Sequence, residues 1–232
     1  RNKSMVRDVI TMAHENGGKL SRQLVEEVIY PIFNSNGGHP LNDAVELTVD
    51  GSRISMTTDS YVVSPIFFPG GDIGKLAVCG TINDLAVSGA RPMFLSVGLI
   101  IEEGFPVSDL NKILRSMAET ANNAGVKIVT GDTKVVEKGN ADKIFINTTG
   151  IGIIPEGIRL GPENITEGDL VIFSGTLGDH GIAVLSAREG LSFGVDLASD
   201  CAALNELAQN AISTGMVTCM RAATRGGAAA VL

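Results

Sequence analysis

The sequence predicts an α/β first part followed by a shorter part with few strands to cover its helices, and three observations carry that reading. Alternating apolar positions at Val45, Leu47, Val49, Ile54 and Met56 mark strands. The spacing of Leu110, Ile113, Leu114, Met117, Ala118 and Ala121 marks an amphipathic helix. A stretch rich in Gly, Pro, Glu and Asn at 155–168 interrupts the pattern, so domains are expected at 1–155 and 156–232, the first complete and the second incomplete. With 44% hydrophobic and 19% charged residues, a chain of 232 residues has enough apolar material for a packed interior, which excludes disorder for most of it.

Each element follows from its residues. Leu20, Leu24, Val25, Val28 and Ile29 share one side of a helix that opens after Gly17-Gly18-Lys19 and is expected to stop at Pro31. Residues 34–42 read as a loop. Asp50-Gly51 joins the alternating segments into a hairpin that delivers Asp59 at a strand end. Asp72 caps a helix with Ile73, Leu76, Ala77, Ile82, Leu85 and Ala86 on its buried side and Gly89 at its stop. Little alternation at 93–101 predicts a strand covered on both faces. Pro106 and Ser108 open the amphipathic helix, which Gly125 closes, and 126–129 and 143–154 read as further strands. In the second part, 170–173 reads as a strand, followed by helices after Gly181 and at 200–212; few strands are left to cover them.

Composition excludes several classes of function. Against 18 basic residues stand 26 acidic ones, a net charge of -8, and no Trp and only two Tyr leave few faces for base stacking, so nucleic acid is not expected as a partner. The three cysteines, Cys79, Cys201 and Cys219, are odd in number and contain no CxxC pair, which points to a reducing compartment, the cytoplasm, and away from structural zinc. No apolar run long enough for a membrane span is present. A first residue of Arg and a final Ala-Ala-Ala-Val-Leu are expected of a fragment.

Several residues qualify for chemistry. Asp84 lies in a helix among Ala, Val, Leu and Gly, where a buried carboxylate needs a cation, a donor or water; an exposed polar face is the alternative. Asp132, in Gly131-Asp132-Thr133-Lys134, and Asp59 are expected where strands leave their sheet, so Asp59, Asp84 and Asp132 together suit Mg²⁺, whose shell is usually completed by water and phosphate oxygens. Lys75 stands in the first turn of its helix, disfavoured there unless an anion binds; a solvent-exposed lysine is the alternative. Amides around Gly17 and Gly18 suit phosphate. Gly175-Thr176-Leu177-Gly178-Asp179-His180-Gly181 is not the dinucleotide-binding spacing, and His180 is either an acid/base group or structural.

Three long segments in order carry a resemblance. The run from Phe67 through Gly70-Gly71-Asp72-Ile73-Gly74-Lys75 and Thr81-Ile82-Asn83-Asp84-Leu85 to Ala86, then Thr130-Gly131-Asp132-Thr133-Lys134-Val135-Val136, then Ser174-Gly175-Thr176-Leu177-Gly178-Asp179-His180-Gly181, resemble the hydrogenase expression/formation proteins of the HypE family. The similarity runs from about His14 to the end and covers roughly the first two-thirds of a typical member, so the rest of the second domain and a terminal Cys are expected to lie beyond what is present here. The resemblance implies a PurM-like fold, with an N-terminal α/β domain followed by an α+β domain, a homodimer whose strands form a barrel, and ATP-dependent dehydration in [NiFe]-hydrogenase maturation. In that chemistry the partner HypF carbamoylates the terminal Cys, the thiocarboxamide becomes a thiocyanate, and the cyanide ligand passes to iron on HypC–HypD.

On that resemblance, Asp59, Asp84 and Asp132 hold Mg²⁺ and ATP, Lys75 and Lys134 contact phosphate, and Lys134 with Asp84 is expected to be catalytic. Thr81, Asn83, Gly131 and Thr133, with Gly17 and Gly18, are expected to help bind the nucleotide. Two positions depart from the family: Glu15 in His14-Glu15-Asn16-Gly17-Gly18, and Ala222 where an acid is usual before Thr224-Arg225-Gly226-Gly227. Selenophosphate synthetase or aminoimidazole ribonucleotide synthetase would share the acids with a different acceptor, and a non-catalytic maturation scaffold is the alternative outside enzymology.

Overall fold

The computed structural model describes residues 9–14, 19–33, 42–192 and 197–232. Gly17, Gly18, Glu15 and most of the loop expected at 34–42 lie outside the described residues. The chain divides into two compact units, one of 1–42 with Ala222–Leu232 and one spanning Asp43–Arg221. In the first, α1 (Lys19–Leu24) runs into a π-helical turn at Val25–Ile29 and then α2 (Tyr30–Phe33). The helix therefore continues through Pro31 instead of stopping there. Wider i→i+5 bonding just before a proline is one way a helix tolerates its missing N–H.

The second unit is built on one five-stranded sheet. Strands β1 (Val45–Val49) and β2 (Ser52–Tyr61) form the expected hairpin, and both turn residues, Asp50 at φ 47° and Gly51 at φ 79°, take the left-handed conformation such a turn needs. A short ribbon of β3 (Phe67–Phe68) and β4 (Gly71–Asp72) leads into α3 (Ile73–Val87). Asp72 Oδ1 caps α3 by accepting from the N–H groups of Gly74 at 2.7 Å and Lys75 at 3.1 Å. Next come β5 (Arg91–Glu102), α4 (Val107–Asn123), β6 (Lys127–Val136) and β7 (Ile144–Ile153).

Strand order is β1-β2-β7-β5-β6, antiparallel throughout except for the parallel pair β5 and β6, which α4 connects. Both α3 and α4 cover one face of this sheet. Ile73, Ala77 and Ile82 of α3, Ile113 and Met117 of α4, Leu95 of β5 and Ile144 and Ile146 of β7 close the core between them. Gly150 on β7 lets α3 approach: a Cβ there would stand 2.7 Å from Thr81 Cγ2 and 2.8 Å from Leu85 Cδ1.

The outer face has no helices on it among the described residues. Phe94 is 40% exposed, Ile100 43% and Ile151 39%, so β5 is covered on one face and not on both as its composition suggested. Composition alone could not distinguish a face buried by helices from one awaiting another surface.

Past β7, the unit continues through α5 (Asp179–Glu189) and α6 (Asn205–Ser213), and α7 (Ala228–Val231) belongs to the smaller unit. No break between compact units falls at the boundary expected near 155. Residues 170–173 form no strand: Leu170 is 87% and Ile172 85% exposed, because a strand without a pairing neighbour leaves its backbone groups unsatisfied. The helix expected at 200–212 begins only at Asn205. Among the described residues, no helix is long and apolar enough to cross a membrane.

Candidate functional site

Two carboxyl groups meet between the sheet and α3. Alternation along β2 turns Ser55, Thr57, Asp59 and Tyr61 toward the helices, and α3 presents Asp84 to them. Asp84 hydrogen-bonds Asp59, and its pKa is pushed from the ordinary 3.8 to about 8. Burial is the largest cause, followed by the negative charges of Asp59 and Asp43, with Arg221 opposing. Arg221 Nε lies 3.0 Å from Asp43 Oδ2, so the positive charge nearest this cluster is partly committed to a third acid. The arrangement crowds like charges that a cation would relieve.

The third expected acid is elsewhere. Asp59 pairs with Thr148 on the inner face, whereas Asp132 lies opposite Gly98, which in turn lies opposite Asn147 and Ser60 on the outer face. Three strand spacings separate them, about 14 Å, with the sheet between. Within one chain, then, Asp59, Asp84 and Asp132 do not converge, and no cluster of three His, Cys, Asp or Glu suited to a metal occurs among the described residues. The reason is local: Gly131-Asp132-Thr133-Lys134 lies inside edge strand β6 and not in a turn beyond it. Gly131, Asp132, Thr133 and Lys134 are all exposed there.

Other expected contacts are redirected as well. Thr81 is fully buried and spends its hydroxyl on Tyr61 at 3.2 Å and on Thr148, so it fastens α3 to the sheet and has no surface for a nucleotide. Asn83 holds a backbone segment instead, donating to Ala202 O at 3.0 Å and accepting from Leu204 N at 2.8 Å. Lys75 is about 13 Å from Asp84 along the helix axis, and its Nζ donates to Gly70 O at 2.9 Å. His180 Nδ1 is 2.9 Å from Ser199 Oγ, its N–H donates to Asp200, and its ring meets Phe68 edge-on; burial holds its pKa below the usual value. That is a packing role.

Comparison with known proteins shows what this scaffold belongs to. Residues 41–154 match the family described as AIR synthase related protein, N-terminal domain. Over 228 residues the chain is 48% identical to the carbamoyl dehydratase HypE of Escherichia coli strain K12, covering 96% of this chain and 68% of that protein. The chain belongs to the HypE family. Among solved structures, a HypE–HypF complex superposes with a TM-score of 0.84 at 54% identity, covering 90% of this chain and 68% of the other. A HypE in complex with ATP gives 0.76 at 46% identity, covering 93% and 64%. This HypE-family chain spans 64% to 68% of the length of the curated relatives it matches.

Membership in the HypE family sharpens what sequence reading missed. Asp43 and Arg221 complete the charge balance around Asp84, yet they sit at opposite ends of the larger unit in sequence, Asp43 in no motif and Arg221 only as the first residue of Arg221-Ala222-Ala223-Thr224-Arg225-Gly226-Gly227. The only available signal was an arginine standing just before Ala222, the position where the family's usual acid is missing.

Proposed function

We propose that this chain carries the nucleotide-handling portion of an ATP-dependent carbamoyl dehydratase of [NiFe]-hydrogenase maturation. The Asp59–Asp84 pair carries the reading: two hydrogen-bonded carboxyls, one held protonated by burial and like charge, in a chain 46% identical to a HypE solved with ATP. Two carboxylates with the remaining positions left to phosphate oxygens and water fit Mg²⁺. When bound, Mg²⁺ supplies charge neutralisation along the triphosphate. Asp59 and Asp84 would hold the ion as carboxylates, and Arg221 and Asp43 would set how readily Asp84 is found in its deprotonated form.

In the proposed reaction a thiocarboxamide on a cysteine is the substrate, HypF the source of its carbamoyl group, and HypC–HypD the acceptor of the product cyano group. The carbonyl oxygen leaves with the γ-phosphoryl group of ATP and the nitrogen loses both protons, giving a thiocyanate, ADP and phosphate. An amide oxygen is a poor leaving group, so in-line placement of the phosphoryl group and stabilisation of its charge are what the protein must contribute. About half identity to the E. coli carbamoyl dehydratase favours this reaction over those of other PurM-like enzymes.

The outer sheet face supports the second half of the proposal, a homodimer; a cytoplasmic location belongs to the same reading and rests on the three cysteines without a CxxC pair. Phe94, Ile100 and Ile151 form an apolar surface beside the edge strand that bears Asp132 and Lys134. Pairing two such faces covers the apolar side chains and brings Gly131, Asp132, Thr133 and Lys134 of one copy near the other copy's nucleotide, with Lys134 stabilising the transferring phosphoryl group. Calorimetric titration with Mg-ATP tests the reading. Wild-type protein is expected to bind, and Asp84→Asn to bind roughly 10- to 100-fold more weakly through loss of a charged ligand. Equal heats from wild type, Asp84→Asn and Asp132→Asn contradict it.

A further inference from the structure

Contacts between α3 and β2 run in step along both elements. Gly80 receives the Tyr61 phenol: a Cβ at Gly80 would overlap Tyr61 Oη and stand 3.0 Å from the ring atoms Cε1 and Cζ. Tyr61 Oη lies 3.2 Å from Thr81 Oγ1. Toward the far end of α3, Ser55 Oγ and Ser88 Oγ hydrogen-bond at 2.8 Å, and Ser55 is fully buried. Asp84 comes four residues after Gly80 and four before Ser88, so these three share one side of the helix. Asp59 comes two residues before Tyr61 and four after Ser55, so these three share one face of the strand. The acids are therefore the middle rung, with glycine and tyrosine on one side of them and two serines on the other.

We propose that Gly80 and Tyr61 are positioning residues for a divalent cation: the notch at Gly80 seats α3 on the phenol, and that seat sets how far the Asp84 carboxyl stands from Asp59. The inference rests on the reading of these acids as a Mg²⁺ site. Neither Gly80 nor Tyr61 touches the ion. Mg²⁺ takes its oxygen ligands at about 2.0–2.1 Å in near-octahedral geometry, so a carboxyl that is shifted with its helix binds it poorly.

The phenol cannot swing aside to admit a side chain at position 80. Its ring packs against the core of the larger unit, and its oxygen meets Thr81, which bonds Thr148 in turn. A methyl group at Gly80 therefore lifts α3 from β2 one turn before Asp84, where the helix carries the displacement to the carboxyl. The seat depends on close approach and not on the Thr81 hydroxyl. When Thr81 is replaced, Thr148 Oγ1 still donates to Ala77 O at 3.2 Å, and Gly80 still accommodates the phenol.

The test titrates the intact chain with Mn²⁺ as the probe for Mg²⁺, without nucleotide, and counts free ion by electron paramagnetic resonance; urea unfolding reads stability separately. Gly80→Ala is expected to bind Mn²⁺ about tenfold more weakly than wild type. Adding Tyr61→Phe removes the overlapping oxygen and should restore affinity to within about threefold of wild type. The inference alone is overturned if Asp84→Asn loses the ion while Gly80→Ala keeps wild-type affinity, whatever its stability, or if the double variant binds no more tightly than Gly80→Ala. Should Gly80→Ala not fold, the double variant decides: affinity close to wild type supports the seat, and a deficit of about tenfold overturns it. If wild type takes up no Mn²⁺, or Asp84→Asn takes up as much, the reading of the acids as a cation site falls and this inference falls with it.

Discussion

The inner side of β2 and the edge strand β6 carry the same kind of side chain in opposite circumstances. Asp59 and Asp84 stand half-buried between sheet and helix, and partial burial beside like charge pushes the Asp84 pKa up to about 8. Asp132 and Lys134 stand in water on the outer face of an edge strand. An aspartate's usefulness is set by what surrounds it: burial beside like charge stores a demand for a cation, whereas an exposed acid exerts no such demand. One region is thus prepared within a single chain, and the other gains its role only against a second surface.

The same substitution at the two regions breaks or sharpens this contrast most strongly. Asp84→Asn removes a half-buried group whose folded pKa exceeds its unfolded one. The folded state therefore holds the proton more tightly, and stability falls as pH rises from about 4 to about 8, then levels off. Asp84→Asn is expected to raise the melting temperature of metal-free protein at pH 8, and Asp132→Asn to leave stability within about 0.5 kcal/mol, both read by differential scanning fluorimetry. Next in size, Phe94→Asp places a charge in the proposed dimer face and should weaken self-association at least ~10-fold in sedimentation velocity. An unchanged dimer would assign that apolar face another occupant.

Smaller effects test the reassigned residues. Thr81→Val takes a hydroxyl away from Tyr61 and Thr148 in the interior and should cost about 1–3 kcal/mol in urea unfolding while leaving Mg-ATP affinity unchanged. Lys134→Ala is the smallest in stability, within about 0.5 kcal/mol, yet it should slow ATP turnover. A Thr81 variant that loses affinity without losing stability would restore it as a nucleotide contact.

Local chemistry was legible in the sequence wherever one residue decides the backbone. Asp50-Gly51 announces the hairpin, Asp72 caps α3, and the apolar stripe of α4 is periodic enough to need no tertiary information. What escaped is pairing. Residues 170–173 look like a strand but find no neighbour, Gly131-Asp132-Thr133-Lys134 looks like a turn but is held in β6 by β5, and Pro31 does not end its helix. In the site, Asp59 and Asp84 are marked by their settings in the sequence, while the pairing of Asp43 with Arg221 depends on a long-range contact that no spacing encodes.

The most direct measurement of the central claim is the melting temperature of the wild-type chain and of Asp84→Asn between pH 5 and pH 8, without divalent ions and with Mg-ATP. Wild-type protein should lose stability across that interval in the absence of Mg-ATP and lose less in its presence, while the variant shows neither the slope nor the rescue. Identical pH profiles for the two proteins, with equal stabilisation by Mg-ATP, would contradict the account.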